Sequence, residues 1–206
     1  QPMHAYDLSA LAAPIVVRRA RAGEELTTLD EVARTLDPED LVISDSPSDE
    51  EGSRLLGIAG VMGGAYSEVE ESTTDILLEA AHFDAVSVAR SSRRHKLHSE
   101  AAKRFERGTD PLLPAVAAQR AVDLLVQYGG GQADPAVFDL NTLPAPTSYE
   151  FALSDAERLT GVSYSPERVC ELLEQVGCVL EDIDTLHITV IDSIETSLVR
   201  HTVQDD

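Results

Sequence analysis

Apolar residues in the first part of the chain form short runs, separated by polar or glycine-bearing turns. Runs of this length, bounded in this way, are typical of β-strands. Four strands are predicted between residues 15 and 81, over Ile15–Arg19, Leu41–Ser44, Leu55–Ala59 and Ile76–Ala80. This part of the chain is therefore predicted to be mostly sheet.

After His82 the apolar positions change to a helical period. Three helices are predicted, over Phe83–Ala89, Glu100–Arg107 and Pro111–Tyr128. The third has the clearest pattern, with apolar or small residues three or four positions apart, at Ala117, Ala121, Leu124, Leu125 and Tyr128. Gly129 directly after it is expected to end the helix.

The segment Pro144–Ser148 has the composition of a linker. It divides the chain into a predicted first domain, residues 1–143, and a second, residues 144–206. The fold class predicted for the first domain is α+β, a sheet-rich domain with helices packed on it.

The second domain begins with a predicted strand, Tyr149–Leu153, and a helix, Asp155–Leu159. A further helix starts at Pro166, with Ser165 as its cap and Gly177 just past its end. Two predicted strands follow, and helices followed by a pair of strands indicate a small winged-helix-like unit. Its second helix carries Glu167, Glu171 and Glu174 against Arg168 alone, so DNA reading by this helix is not expected.

Composition excludes several classes of protein. No run of about 18 apolar residues that could span a membrane is present. Neither Cys170 nor Cys178 belongs to a paired zinc or disulfide pattern, so we expect no metal site and a cytoplasmic, reducing location. The first residue, Gln1, is not Met, and we expect the chain to be a piece of a longer polypeptide.

The net charge of −21 would argue against nucleic acid, yet the charges are segregated along the sequence. Seven of the 16 basic residues fall in one stretch, at Arg90, Arg93, Arg94, Lys96, Lys103, Arg104 and Arg107. A local positive surface can attract a polyanion even on an acidic protein. Taken alone, such a stretch is more often a solvated helix face.

Glu79 is the single charged residue of an otherwise apolar predicted strand. An unpaired buried carboxylate is costly, so this side chain should line a pocket or pair with a base. Alternation along the strand places it on the same side as Leu77 and Ala81. A structural glutamate with a partner and a ligand-binding one both remain open from the residues alone.

Glycines cluster around Val61 and Met62, at Gly57, Gly60, Gly63 and Gly64. A tight turn explains them without any ligand, although adjacent glycines also let a ligand approach the backbone. Their spacing matches no phosphate-binding loop, so ATP or NAD binding by this chain is not expected.

Four segments, in order and spacing, resemble the β subunits of bacterial phenylalanyl-tRNA synthetases. They are Gln1–Asp7 (QPMHAYD), Ile58–Gly64 (IAGVMGG), Leu77–Ala81 (LLEAA) and Ser99–Pro111 (SEAAKRFERGTDP). The resemblance covers the B3/B4 editing module to about Gly131 and continues more loosely into the B5 module. Lys96 and Glu31 stand where glycine is usual in the family.

The resemblance implies hydrolytic editing of tRNA(Phe) mischarged with tyrosine. It assigns Glu79 to the tyrosine hydroxyl, His4 to the reacting end, Gly63 to the space for the aminoacyl group, and Ser99 and Ala101 to the pocket wall. Arg93, Arg94, Arg104 and Arg107 are the expected tRNA contacts. For the whole synthetase it implies ATP, Mg²⁺ and an α subunit in an α2β2 assembly, with no cofactor in this chain.

Two rival functions remain. The chain can instead serve as a non-catalytic tRNA-binding and subunit-packing module, or as a free-standing editing protein, which the first residue argues against.

Overall fold

The computed structural model describes residues 2–142, 148–181, 187–191 and 201–204, and of the last two ranges the backbone only. Contacts divide the chain into two compact units, Gln1–Asn141 with Thr196–Asp206, and Thr142–Glu195. Each unit has its own β-strands and α-helices.

The first unit contains two four-stranded sheets and a two-stranded hairpin. One sheet has the order β2-β5-β6-β7, the other β1-β8-β13-β9, and β3 pairs with β4. All of these pairings are antiparallel. The strands are β1 Met3–Asp7, β2 Val16–Arg19, β3 Glu25–Thr27, β4 Ala33–Thr35, β5 Leu41–Asp45, β6 Arg54–Ile58, β7 Met62–Gly63, β8 Ile76–Ala80, β9 Gln132–Ala133 and β13 His201–Gln204.

The described part of this unit includes three α-helices: α1 Ala85–Arg94, α2 Glu100–Glu106 and α3 Leu113–Gly129. The two faces of β8 bury different side chains. Leu78 and Ala80 pack in a small cluster with Ala118 and Val122 of α3. Leu77, on the opposite face, belongs to the main core, which α1, α2 and the sheet strands share. Glu79 projects on the main-core side because side chains alternate along a strand.

The second unit consists of β10 Ser148–Ala152, α4 Leu153–Thr160, α5 Pro166–Gln175, β11 Val179–Glu181 and β12 His187–Ile191. Its strands pair antiparallel in the order β10-β12-β11. The Ser165 side chain caps α5 by accepting from the Arg168 N–H, as the sequence indicated. The assignment of this unit as a winged-helix, B5-type domain stays a prediction, and so do the domain boundaries. The predicted linker, Pro144–Ser148, lies outside the described residues except at Ser148, which begins β10.

The α+β class is confirmed, and every element predicted in the described part of the first unit is present, most with shifted ends. The largest shift is in α1, which was predicted over Phe83–Ala89 but runs from Ala85 to Arg94. Asp84 caps it by accepting from the Ser87 N–H at 2.7 Å, so Phe83 lies before the helix. Its second half was missed because the buried positions there are Ser91 and Ser92, which break the apolar period.

The stop of α3 was also misplaced. Gly129 is the last helical residue, and Gly130, with φ of 77°, provides the left-handed C-cap. Strand β1 was not predicted at all, although two of its residues, the half-buried His4 and the buried Tyr6, belong to the site described next.

Candidate functional site

A cavity of about 80 Å³ lies where β1, β6, β7, β8 and α2 meet. Four of the five predicted pocket residues line it: His4, Gly63, Glu79 and Ala101. The remaining lining residues are mostly apolar, and are Pro2, Met3, Tyr6, Ile43, Gly57, Ile58, Gly60, Val61, Met62 and Phe105. A largely apolar pocket with a few convergent polar groups is the usual form of a small-ligand site.

Glu79 faces this cavity from β8, directly opposite His4 in the pairing with β1. Its Oε2 accepts a hydrogen bond of 2.5 Å from the Tyr6 hydroxyl. Burial raises the pKa of Glu79 to about 7, although the Tyr6 hydrogen bond acts in the opposite direction. The carboxyl group therefore both lines a pocket and has a partner, and the partner is a phenol and not a base.

His4 presents a buried imidazole to the cavity. Desolvation lowers its pKa from the usual value of 6.5, which favours the neutral form of the ring. Its Nε2 is buried and forms no hydrogen bond to any described protein atom. The ring contacts Tyr6 edge to face, with centroids 4.4 Å apart. Nε2 is thus the polar atom of this pocket best placed to interact with a ligand or with water.

Gly63 is required by the position of His4. A Cβ atom at residue 63 would lie 2.6 Å from His4 Nε2, too close for the ring to stay in place. The family resemblance assigned the space at Gly63 to a ligand. In the structure that space is occupied by the imidazole, and the glycine lets His4 lie against the backbone of β7.

Ser99 and Ala101 belong to the start of α2. The Ser99 hydroxyl accepts from the Ala102 N–H at 3.0 Å and donates to the Val61 carbonyl at 2.6 Å. Ser99 does not line the cavity; it caps the helix and ties it to the loop that carries Val61. Ala101, two residues further on, does line the cavity.

Tyr6 was not predicted as a site residue, although it contacts both predicted polar residues. Only 2% of its surface is exposed. The available signal was the spacing of His4 and Tyr6, two residues apart and hence on one face of a strand. Because β1 was not predicted, that spacing was not used.

Tyr6 and Glu79 also border a second cavity of about 380 Å³. Its other lining residues are apolar: Leu8, Leu11, Ala13, Pro14, Ile15, Val17, Ile43, Leu77, Leu78 and Phe138. The Tyr6–Glu79 pair therefore lines both cavities, which lie within the first unit.

The predicted tRNA-contacting arginines fall into two groups. Arg94 pairs with Asp40 and with Glu39, each at 2.6 Å, and its side chain is 28% exposed. Arg93, Arg104 and Arg107 are exposed, and their guanidinium groups form no hydrogen bond or ion pair with any described residue. The positive charge of this basic stretch is therefore partly neutralised in the folded chain. The acidic loop before β5, residues 37–40, lies against the end of α1 and pairs with Arg94.

Asp40 is the centre of that neutralisation. It is fully buried and accepts hydrogen bonds from Ser91 and Arg94, with His95 Nε2 2.6 Å from its second oxygen. Burial alone would raise the pKa of Asp40, but hydrogen bonds from the Ser91 hydroxyl and the Asp37 N–H, together with His95, hold it below the usual value. This cluster was not predicted from the sequence, since its members are about 50 residues apart.

Among the described residues, no group of three His, Cys, Asp or Glu side chains is placed to hold a metal ion. No described helix is long and apolar enough to cross a membrane.

Comparison with known proteins gives a consistent result. The family model of the B3/4 domain matches residues 1–130. Phenylalanine–tRNA ligase β subunits are 52% identical over 86% of this chain in Bifidobacterium longum and 51% identical over 92% in Streptomyces avermitilis. The chain spans only 20% and 22% of those relatives' lengths.

A solved N-terminal fragment of the phenylalanyl-tRNA synthetase β subunit from Pyrococcus horikoshii is 12% identical, with a TM-score of 0.42 over 95% of this chain and 53% of that one. The family assignment rests on the sequence relatives. The chain belongs to the B3/4 domain family, in the form carried by the β subunits of phenylalanine–tRNA ligase, an aminoacyl-tRNA synthetase.

Proposed function

We propose that the His4–Glu79 cavity hydrolyses the ester of tyrosine on tRNA(Phe), correcting a charging error made elsewhere in the synthetase. The observation that carries the proposal is the Glu79 carboxyl group, which lines the cavity and already accepts a hydrogen bond from a phenol, that of Tyr6. A bound tyrosyl group would present a second phenol to the same carboxyl group.

The need for such a site follows from the limits of selective binding. A hydrophobic pocket rejects an isostere with one added hydroxyl by only about 10²-fold, whereas a site that hydrogen-bonds the hydroxyl rejects the analogue lacking it by about 10⁴-fold or more. Glu79 gives the second site selectivity of this kind, because a phenylalanyl group would offer no donor to its Oε1, the oxygen that Tyr6 leaves open.

The size of the cavity implies adjustment on binding. At about 80 Å³ it is smaller than the roughly 150 Å³ that accommodates a benzene ring. Met3 and Met62 line it, and methionine side chains adapt readily in shape. We expect these two side chains to move when an aromatic ring enters.

For the hydrolysis, His4 would orient the water. Nε2 of the neutral imidazole accepts a hydrogen bond from a water molecule, whose oxygen attacks the ester carbonyl carbon. The bond to the ribose oxygen then breaks, the ribose oxygen takes up a proton, and free tyrosine leaves. Positioning carries most of this step, because the ester of an aminoacyl-tRNA is already reactive.

The wider setting follows from the family. The partners are tRNA(Phe) and the synthetase α subunit in an α2β2 assembly in the cytoplasm, and ATP and Mg²⁺ serve the charging reaction of the whole enzyme. The second unit corresponds to the start of a B5-type, winged-helix domain. Arg93, Arg104 and Arg107 contact tRNA phosphates, since their side chains are exposed and form no ion pair or hydrogen bond with any described carboxylate.

The test compares Glu79→Ala with the native enzyme in the intact synthetase. Deacylation of Tyr-tRNA(Phe) and of Phe-tRNA(Phe) is measured, with Glu106→Ala, an exposed glutamate on α2, as control. We expect Glu79→Ala to lose the preference for tyrosine while Glu106→Ala keeps it. A native preference in Glu79→Ala would make Glu79 structural and favour the non-catalytic tRNA-binding module.

A further inference from the structure

We infer that Tyr6 is a positioning residue that fixes the Glu79 carboxyl group, keeping Oε1 oriented toward the aminoacyl ring and Oε2 engaged. The inference deepens the proposed editing function and rests on it. It starts from the one hydrogen bond that Glu79 forms through its side chain with a described residue.

That hydrogen bond leaves the two carboxyl oxygens inequivalent. The Tyr6 hydroxyl donates to Oε2 at 2.5 Å, while Oε1 forms no hydrogen bond with any described residue. A carboxyl group held at one oxygen cannot rotate freely about its terminal bond. The second oxygen is then available in a fixed place for the phenol of a substrate.

The Tyr6 ring is itself fixed. It is 2% exposed, belongs to the main core and contacts the His4 imidazole edge to face at 4.4 Å. One rigid side chain therefore sets the distance between the residue that reads the hydroxyl and the residue that faces the ester. Pre-organisation of this kind is what a selective site needs, because small displacements cost large factors in rate.

Tyr6 also favours the charged form of Glu79. Its hydrogen bond lowers the pKa of the carboxyl group, against the larger effect of burial. The pKa of the Tyr6 phenol is raised well above 10, mainly by its own burial, so it stays a donor across the physiological range. Without that donor, Glu79 would be protonated up to a higher pH.

Few other groups can titrate near Glu79. From β1 these are His4 and Tyr6; the residues of β5, β6, β7 and α2 that line the cavity carry no ionisable side chain. The second cavity, which Leu8, Val17 and Phe138 help to line, adds none. Strand β13 also pairs with β8, and of it the backbone alone is described.

The decisive variant is Tyr6→Phe in the intact synthetase, with Tyr128→Phe, an exposed tyrosine at the end of α3, as the matched control. The readout is the ratio of deacylation rates for Tyr-tRNA(Phe) and Phe-tRNA(Phe) between pH 6 and 9. The ratio cancels the general increase of ester hydrolysis with pH. We expect Tyr6→Phe to lower this ratio of rates about tenfold at pH 7 and to move the midpoint of the ratio's pH dependence upward.

A second variant covers the case in which Tyr6→Phe fails to assemble. Fluorotyrosine at position 6 keeps the shape and makes the phenol a stronger donor, so the midpoint should move downward. Equal losses on both substrates, or a native midpoint in both variants, would overturn the positioning role. Glu79→Ala is measured in parallel. If Glu79→Ala keeps the native ratio of deacylation rates, the editing proposal itself fails. If Glu79→Ala lowers that ratio while Tyr6→Phe leaves it at the native value, only the role of Tyr6 fails.

Discussion

His4 and Glu79 lie directly opposite each other in the antiparallel pairing of β1 with β8. Side chains of such a pair have Cβ atoms about 5 Å apart and project from the same face of the sheet. The two residues are 75 positions apart in sequence, so the register of one strand pair determines the geometry of the site. A slip of one residue would move either side chain to the opposite face.

Gly63→Ala should displace His4 without unfolding the domain. The added Cβ would lie 2.6 Å from His4 Nε2, and the ring also contacts Tyr6 edge to face, with centroids 4.4 Å apart. A displacement of about 1 Å in a positioned group can cost about 10²-fold in rate, and we expect a loss of that order in Tyr-tRNA deacylation. Single-turnover deacylation by the intact synthetase measures it.

Gly129→Ala is the matched control, because a Cβ there meets no atom within 4 Å. It should leave the rate unchanged. A native rate in Gly63→Ala would show that His4 can move aside without consequence and would remove it from the reaction.

Local sequence patterns were sufficient to predict the long helices and the central strands, because each buries a periodic apolar face. They were insufficient for β1, whose five residues include His4, Tyr6 and Asp7 and resemble a polar loop. This strand is specified by its partner β8, which no local pattern reveals.

The site, too, could be predicted only where a local pattern indicated it. The lone charge at Glu79 indicated a pocket or a partner, and the structure has both. Arg94 appeared equivalent to Arg93 in sequence, yet Asp40, distant in the chain, engages only Arg94. Which charges of a cluster are free depends on tertiary contacts, and these cannot be predicted from spacing.

Lys96→Gly should stabilise the end of α1. Lys96 has φ of 53°, a left-handed conformation that costs a residue with a Cβ about 1–2 kcal/mol. Glycine removes that cost but loses about 0.5–1 kcal/mol in chain entropy, so a net gain of up to about 1.5 kcal/mol is expected. Hydrogen exchange of the α1 amides measures the change in opening free energy.

Glu31, with φ of 61°, should respond in the same direction when replaced by glycine. Both positions are ones where the family resemblance led us to expect glycine. Lys103→Gly, inside α2, is the control and should destabilise its helix by about 1 kcal/mol. Faster exchange of α1 in Lys96→Gly would contradict the argument from backbone strain.

Glu79→Gln should increase stability while impairing editing. The folded-state pKa of Glu79, about 7, lies above the ordinary value of 4.5, so the native state prefers the protonated acid. The stability that the protonated Glu79 gives the native state is fully present below pH 4.5 and is lost as pH rises through about 7. Glutamine stays uncharged and does not lose this contribution. Above pH 7 we therefore expect Glu79→Gln to be more stable than the native chain by at most about 3 kcal/mol.

Hydrogen exchange of the β1 and β8 amides in the intact subunit, corrected for intrinsic rates, should therefore show greater protection in Glu79→Gln at about pH 8 and little difference near pH 4.5. Glu106→Gln should show no difference at either pH. Reduced protection of Glu79→Gln at the higher pH would mean that the ionised carboxyl group stabilises the native fold, contrary to the burial argument.

The exposed and the paired arginines should separate under mutation. Replacing Arg93, Arg104 and Arg107 by alanine should weaken tRNA(Phe) binding. It should also make the affinity less dependent on salt: the slope of log affinity against log salt concentration should fall by about 1 for each arginine–phosphate interaction that is removed. Arg94→Ala should leave that slope unchanged and instead increase hydrogen exchange in α1, because it removes a partner of the buried Asp40 carboxylate. Filter binding across a salt series, together with exchange, distinguishes the two effects. If Arg94→Ala lowered the slope while the triple variant did not, the tRNA would have to displace the Asp40 network, and the contact surface would lie at the end of α1 beside the acidic loop.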